Sequence, residues 1–392
     1  MRSHISFVSF PHHPHVNPTL PIASVLVRRG HRVSYVSSRK FEMRLRALGV
    51  EFIECPGFDS RELFGSTENG DLSSNPVLRL ASRTLPQILE VYKEDRPDLI
   101  IYDFMAYAGR ILAHRLSVPA VQTSPTFAHC RKQWLQQVAD PEFRQVLIEN
   151  ARISDGFLQQ HGVPSSDFLF HREGLNIYLF PEVFQPRGDF FGETVFYAGR
   201  CAAEQPYYGD WQLGSKGNRP VILVSTSTTY VQGPAFFKMC LDALSSLKCR
   251  VLLSIGETGD KRALEPLPES CETVQHVSHV KILPHVDVLI CLPGIITASE
   301  AAYHGVPLVV TSLGFLEEEL EGNVFERLGI AVHLKNAEMN ADSLRRAVKR
   351  ALSDSGLIDR VKQIQRCVKS EPGAEETANR IEEYLESSTK IR

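Results

Sequence analysis

Short apolar runs bounded by turn residues alternate with helical periodicity along most of the chain. Residues 4–10, HISFVSF, and 31–36, HRVSYV, are apolar enough to be covered on both faces, the pattern of strands buried in a parallel sheet. Between them the sequence predicts a helix over 18–29, with Asn17 as N-cap, Pro18 in the first turn and Gly30 just past the end. Strand, helix and strand make a βαβ unit, whose crossover is right-handed in nearly every case. The unit recurs with DLIIYDF at 98–104, a helix through 106–116 and VPAVQTS at 118–124. Periodicity lapses over 202–219, AAEQPYYGDWQLGSKGNR, where Gly, Pro and charge collect as in an interdomain linker. It restarts with PVILVSTS (220–227), a helix over 233–247, RVLLSIG, DVLIC (287–291), a helix through Ala301, VPLVVTS (306–312) and IAVHL. The expectation is an α/β chain of two Rossmann-like, doubly wound parallel-sheet halves facing one cleft. The first covers 1–203, a linker 204–219 and the second half 220–373, and a final helix within 374–392 can cross back to the first half.

Length agrees, because 392 residues exceed what one ordinary core organises. Charge narrows the partner: 43 basic against 46 acidic residues leave a formal charge of -3, which favours neither nucleic acid nor an acidic membrane face and leaves a small molecule as the expected partner. The N-terminus, MRSHISFVSF, lacks the long apolar core of a signal peptide, and no run of 18 apolar residues occurs further along, so a cytoplasmic location is expected. The eight cysteines contain no C-x-x-C pair, which argues against a disulfide framework and a zinc knuckle. Neither G-x-G-x-x-G nor a Walker A sequence is present.

The stretch PHHPHVNP at 11–18 places three histidines, His12, His13 and His15, between the first strand and its helix. Together with PDLIIYDF at 97–104 and SEAAYHGVPLVV at 299–310, in this order and spacing, it resembles the GT-B inverting glycosyltransferases of the macrolide and natural-product type. The resemblance covers nearly the whole chain. It implies GT-B architecture and transfer of a sugar from a nucleoside-diphosphate sugar, UDP or TDP, to an acceptor hydroxyl. It also implies that His15 is the general base and that Asp103 orients it. The chemistry is sound in its own right: an imidazole exchanges protons near neutrality, and a carboxylate on its other nitrogen fixes the tautomer and stabilises the imidazolium. An isolated histidine beside a strand end is more often a capping or solvated group; Asp103 is what lifts His15 above that reading. A metal site on all three histidines is the rival, but a proline-interrupted loop lacks the spacing such sites use, so no metal or cofactor is expected. His12 and His13, with Phe127 and Trp134, are read as walls of an apolar acceptor pocket to which 57–85 and 126–175 contribute.

The donor half departs from the family's pattern. Where the resemblance implies a His-Gly-Gly-like loop holding the diphosphate, this chain has CLPG, with Leu292 and Pro293. The Ser-Leu-Gly turn is STST, with Ser227 at the glycine, and the Pro-Gln pair is Ser278-His279. The donor-binding candidates are Ser225, Thr228, His279, Gly294, Thr297, Glu300 for the ribose diol, and Glu317 and Glu318 for the sugar hydroxyls; the EEE run at 317–319 equally suits a solvated helix start. Three readings stay open at this point. One is inverting sugar transfer; a second is a repurposed enzyme with a vestigial nucleotide site, its His-Asp dyad performing an elimination, isomerisation or cyclisation. The third is a pseudo-enzyme that binds a partner transferase.

Overall fold

The computed structural model describes residues 2–57, 75–128, 141–164, 171–186, 192–201, 218–226, 232–256 and 259–390. Seven strands form the first sheet: β1 (His4–Val8), β2 (Arg32–Ser37), β3 (Glu51–Glu54), β4 (Leu99–Asp103), β5 (Ala120–Ser124), β6 (Leu175–Tyr178) and β7 (Val195–Tyr197), in the order 3-2-1-4-5-6-7 with every pairing parallel. Six form the second: β8 (Val221–Ser225), β9 (Arg250–Ser254), β10 (Cys271–Val274), β11 (Val288–Cys291), β12 (Leu308–Thr311) and β13 (Ala331–Leu334), in the order 10-9-8-11-12-13, again all parallel. Both sheets are therefore doubly wound. Strand order reverses between β1 and β4 in one and between β8 and β11 in the other, and beyond the carboxyl ends at such switch points a ligand finds a crevice.

The described residues fall into two compact units, one drawn from Met1–Leu179, Arg187–Cys201 and Pro372–Arg392, the other from Phe180–Pro186 and Ala202–Glu371. The C-terminal helix Gly373–Lys390 belongs to the first unit, where Ala378, Ile381 and Leu385 join the apolar cluster of Ile5, Leu26 and Ile101. Burial of Ile381 and Leu385 contributes about 1.5–3 kcal/mol each. The bridges from Arg29 to Glu375 and Glu382 lie at the surface, where such pairs are worth about 0–1 kcal/mol, so packing rather than charge anchors this helix.

Two local features position the first sheet's switch point. The helix Tyr107–Leu116 crosses so close to β1 and β4 that a Cβ at Gly109 would lie 2.6 Å from Tyr102 Cβ and 2.9 Å from Val8 Cβ, so glycine alone fits. The same helix ends on Ser117, whose φ of 51° is left-handed and carries no glycine. Ser117→Gly is expected to relieve that strain and stabilise the unit by about 0.5–1 kcal/mol, read as a rise in thermal midpoint; an unchanged or lower midpoint would refute it.

Several expected boundaries shift. Residues 13–16 form a helical turn, His13–Val16, rather than an irregular loop, and the next helix is Thr19–Arg28 with Pro18 at its N-cap. Asn17 closes the first turn, and its side-chain oxygen accepts from Arg44 at 3.1 Å instead of capping the second helix. Residue 175, the last of a stretch read from sequence as acceptor-pocket wall, instead opens the interior strand β6, with Leu175 and Ile177 in the core. Most of the predicted linker, residues 204–217, and the parts of the expected pocket at 58–74, 129–140 and 165–170 lie outside the described residues. Among the described residues no helix is long and apolar enough to cross a membrane.

Candidate functional site

β1 and β4 are neighbours in register, Val8 beside Tyr102, so the turn after β1 meets the carboxyl end of β4. His15, on that turn, places Nδ1 2.8 Å from Oδ2 of Asp103, the last residue of β4. The carboxylate is buried and the imidazole side chain is 11 % exposed. The other oxygen, Oδ1, accepts from the Met105 amide at 2.9 Å, which fixes the carboxylate from behind. With a carboxylate as acceptor, Nδ1 carries the proton and Nε2 presents a lone pair. Phe10 meets the ring edge-on at 5.1 Å between centroids, and Phe104 stacks at 6.0 Å and 18°. Neither aromatic was singled out from sequence, where residues beside strands read as core.

His12 and His13 flank this pair in different ways. The His12 ring lies 6.1 Å from that of His15, and His13 packs edge-on against Phe41 at 5.1 Å. Burial first, with the positive Lys40 nearby adding to it, depresses both to about 3, so both rings are neutral at physiological pH. Among the described residues no group of three or more His, Cys, Asp or Glu side chains is placed to hold a metal ion. Phe127 is buried just beyond β5. Trp134 lies outside the described residues.

The second unit carries its own polar constellation at the β8/β11 switch point. Ser225 ends β8 and pairs in register with Cys291 at the end of β11. Its Oγ lies 3.0 Å from Nε2 of His279, whose Nδ1 lies 2.8 Å from Oε2 of Glu300. Three candidates named separately from sequence are thus joined in one chain of hydrogen bonds. Thr228 and Ser227 lie outside the described residues.

After β11 the chain passes through Leu292 and Pro293, both buried, to Gly294, the N-cap of the helix Ile295–His304. No side chain caps that terminus, and a Cβ at Gly294 would meet only Thr297 Oγ1, at 3.9 Å, which leaves room for an approaching group. The first backbone amide of the helix, that of Ile295, faces the buried Glu321, 6 % exposed. Burial and the neighbouring Glu317 and Glu318 push its carboxyl well above the usual range. The EEE run divides. Glu317 is exposed at the start of the helix Leu316–Arg327, whereas Glu318 is buried and accepts from the Leu313 amide at 2.7 Å, and Glu319 accepts from the Ser312 hydroxyl. Glu318 and Glu319 therefore brace the loop before the helix, leaving Glu317 as the outward carboxylate.

Comparison with known proteins places this geometry in context. Residues 238–384 match the family described as erythromycin biosynthesis protein CIII-like, C-terminal domain. The chain is 33% identical to the NDP-glycosyltransferase YjiC of Bacillus subtilis over 98% of both chains. It is 29% identical to the oleandomycin glycosyltransferase of Streptomyces antibioticus, over 98% of this chain and 91% of the other. Among solved structures, the glycosyltransferase of kitacinnamycin superposes with a TM-score of 0.84 at 28% identity, covering 98% of this chain and 100% of that one. The calicheamicin glycosyltransferase CalG4 gives 0.80 at 28% identity over 98% of both.

Proposed function

The chain belongs to the GT-B natural-product glycosyltransferases, and from that premise we propose that it transfers the sugar of a nucleoside-diphosphate sugar, with inversion, to a hydroxyl of an apolar small molecule. The single observation that carries the reading is the 2.8 Å bond between His15 Nδ1 and Asp103. Held in that tautomer, the imidazole offers Nε2 to the acceptor hydroxyl and takes its proton as the oxygen attacks the anomeric carbon. The bond from that carbon to the diphosphate breaks on the opposite face, the electron pair leaves with the phosphate, and a single displacement inverts the centre. Asp103 stabilises the imidazolium so formed. Neutral His12 and His13, with Phe104 against His15, suit an apolar acceptor better than a charged one.

On the donor side, Thr297 and the free amides of the helix Ile295–His304 supply dipole and hydrogen bonds to the diphosphate, Glu300 the ribose contact and Glu317 the sugar contact. The reaction so drawn needs neither metal nor cofactor. The test is calorimetric titration of the full chain with UDP, TDP and GDP, then turnover of the matching sugar nucleotide and assignment of the anomeric configuration of the product. At least one nucleotide should bind with Kd below about 1 mM, worth about 4 kcal/mol, and the product should be inverted. Conversion of a substrate with no sugar nucleotide present would replace this reading with donor-independent proton transfer by the same dyad, and a retained configuration would remove the direct displacement.

A further inference from the structure

Ser225, His279 and Glu300 come from three elements: the end of β8, the short helix His279–Ile282 and the helix Ile295–His304. A hydroxyl, an imidazole and a carboxylate in line, at 3.0 and 2.8 Å, is the arrangement through which a remote carboxylate governs a hydroxyl's proton. Ser225 and Glu300 are each 8 % exposed, and the His279 side chain between them, 18 % exposed, is the member that solvent reaches most readily. The chain of bonds also stands beside a loop short of anion donors. Ser225 is one strand over from Cys291, about 4.8 Å away, and beyond Cys291 come a hydrocarbon at Leu292, a proline without an N–H at 293 and an Ile295 amide that faces the Glu321 carboxyl.

We infer that these three residues form a proton-coupled clamp for the donor's diphosphate: a phosphate oxygen accepts a hydrogen bond from Ser225 Oγ while His279 takes up a proton. The inference rests on the proposed donor site and adds a role for His279 as a positioning residue that acts through Ser225. As the groups stand, Nδ1–H of His279 donates to Glu300 and the Ser225 hydroxyl donates to Nε2. A phosphate oxygen that draws the serine proton toward itself leaves Nε2 facing a hydroxyl lone pair. A proton taken from solvent onto Nε2 restores the bond, now donated by the ring, and places an imidazolium between Glu300 and the serine that holds the phosphate. No bond other than N–H forms, and the proton returns to solvent when the nucleotide leaves. Facing the ring are Ser225 from β8 and Glu300 from the helix Ile295–His304; Lys281 lies on the ring's own helix, and His276 and His285 flank it in the chain. Since binding is coupled to proton uptake, affinity rises as pH falls.

The test is titration of the full chain with UDP and TDP between about pH 6 and 9, in buffers of different ionisation enthalpy. The wild-type protein should take up as much as about one proton per nucleotide, and its affinity should fall by as much as about tenfold per pH unit where that proton is gained. His279→Gln keeps a side-chain donor but has no group that titrates in this range, so its affinity should show only the shallow dependence of the nucleotide's own phosphate. Ser225→Ala should lose the uptake with His279 intact, and it serves if the first variant does not fold. Equal uptake and equal pH slopes in wild type and His279→Gln overturn the clamp while leaving the donor site standing. Failure of the wild type to bind any nucleoside diphosphate overturns both.

Discussion

His15→Ala is expected to lower turnover by about two to four orders of magnitude, the usual contribution of a positioned general base. The loss should fall on kcat, because the groups assigned to the nucleotide all belong to the other unit and KM for the sugar nucleotide has no reason to move. Removing the imidazole also strips the buried Asp103 carboxylate of its charge-sharing partner and leaves it the Met105 amide, so some stability is lost along with activity. His15→Gln separates the two effects: an amide in the same pocket can donate to Asp103 but cannot serve as a base near neutral pH. Its thermal midpoint should lie nearer wild type and its turnover should stay near that of His15→Ala. Steady-state rates on an identified acceptor, with circular dichroism on all three proteins, make the comparison. Near-normal turnover in both variants would remove His15 from the chemistry.

Whether a feature can be read from the sequence depends on how it is encoded. Strands such as β1, β4, β8 and β11 are legible because both faces are covered and the apolar runs are continuous. The edge strands β3, EFIE, and β10, CETV, are half-exposed and mix polar with apolar side chains, so no run announces them. The helix Pro76–Glu94 escapes a sequence reading because Pro86 sits inside it. His15 and Asp103 stand out through the motifs that carry the family resemblance, and their place at or just past the ends of legible strands, where parallel sheets gather ligands, agrees with it. The bonds among Ser225, His279 and Glu300 have no such signal. They join positions 54 and 21 residues apart and depend on β8 lying beside β11, a matter of sheet order rather than of local pattern. Glu318 illustrates the converse: an exposed-looking acid in a charged run turns out buried, since the loop amide it accepts from precedes it in the chain and turns back only in the fold.

Asp103→Asn carries an expected loss comparable to His15→Ala, about two to four orders of magnitude, although it removes no group that touches the acceptor. The carboxamide matches the carboxylate in shape, and its oxygen can go on accepting from the Met105 amide at 2.9 Å. Its nitrogen must then point N–H at His15 Nδ1, where the native carboxylate accepted at 2.8 Å. The ring can satisfy that only by moving its proton to Nε2, and an Nε2 that already holds a proton cannot take one from the acceptor. The imidazolium that forms later also loses its counter-charge. Binding of the sugar nucleotide and the circular dichroism spectrum should stay close to wild type, which distinguishes the effect from unfolding. If the two residues act as one unit, as proposed, the double variant His15→Ala/Asp103→Asn should be about as slow as His15→Ala alone: with no base to orient, the orienting group has nothing left to contribute. Losses that instead multiply in the double variant would mean that Asp103 serves the reaction by a route other than His15, and the dyad would have to be abandoned as the source of the base.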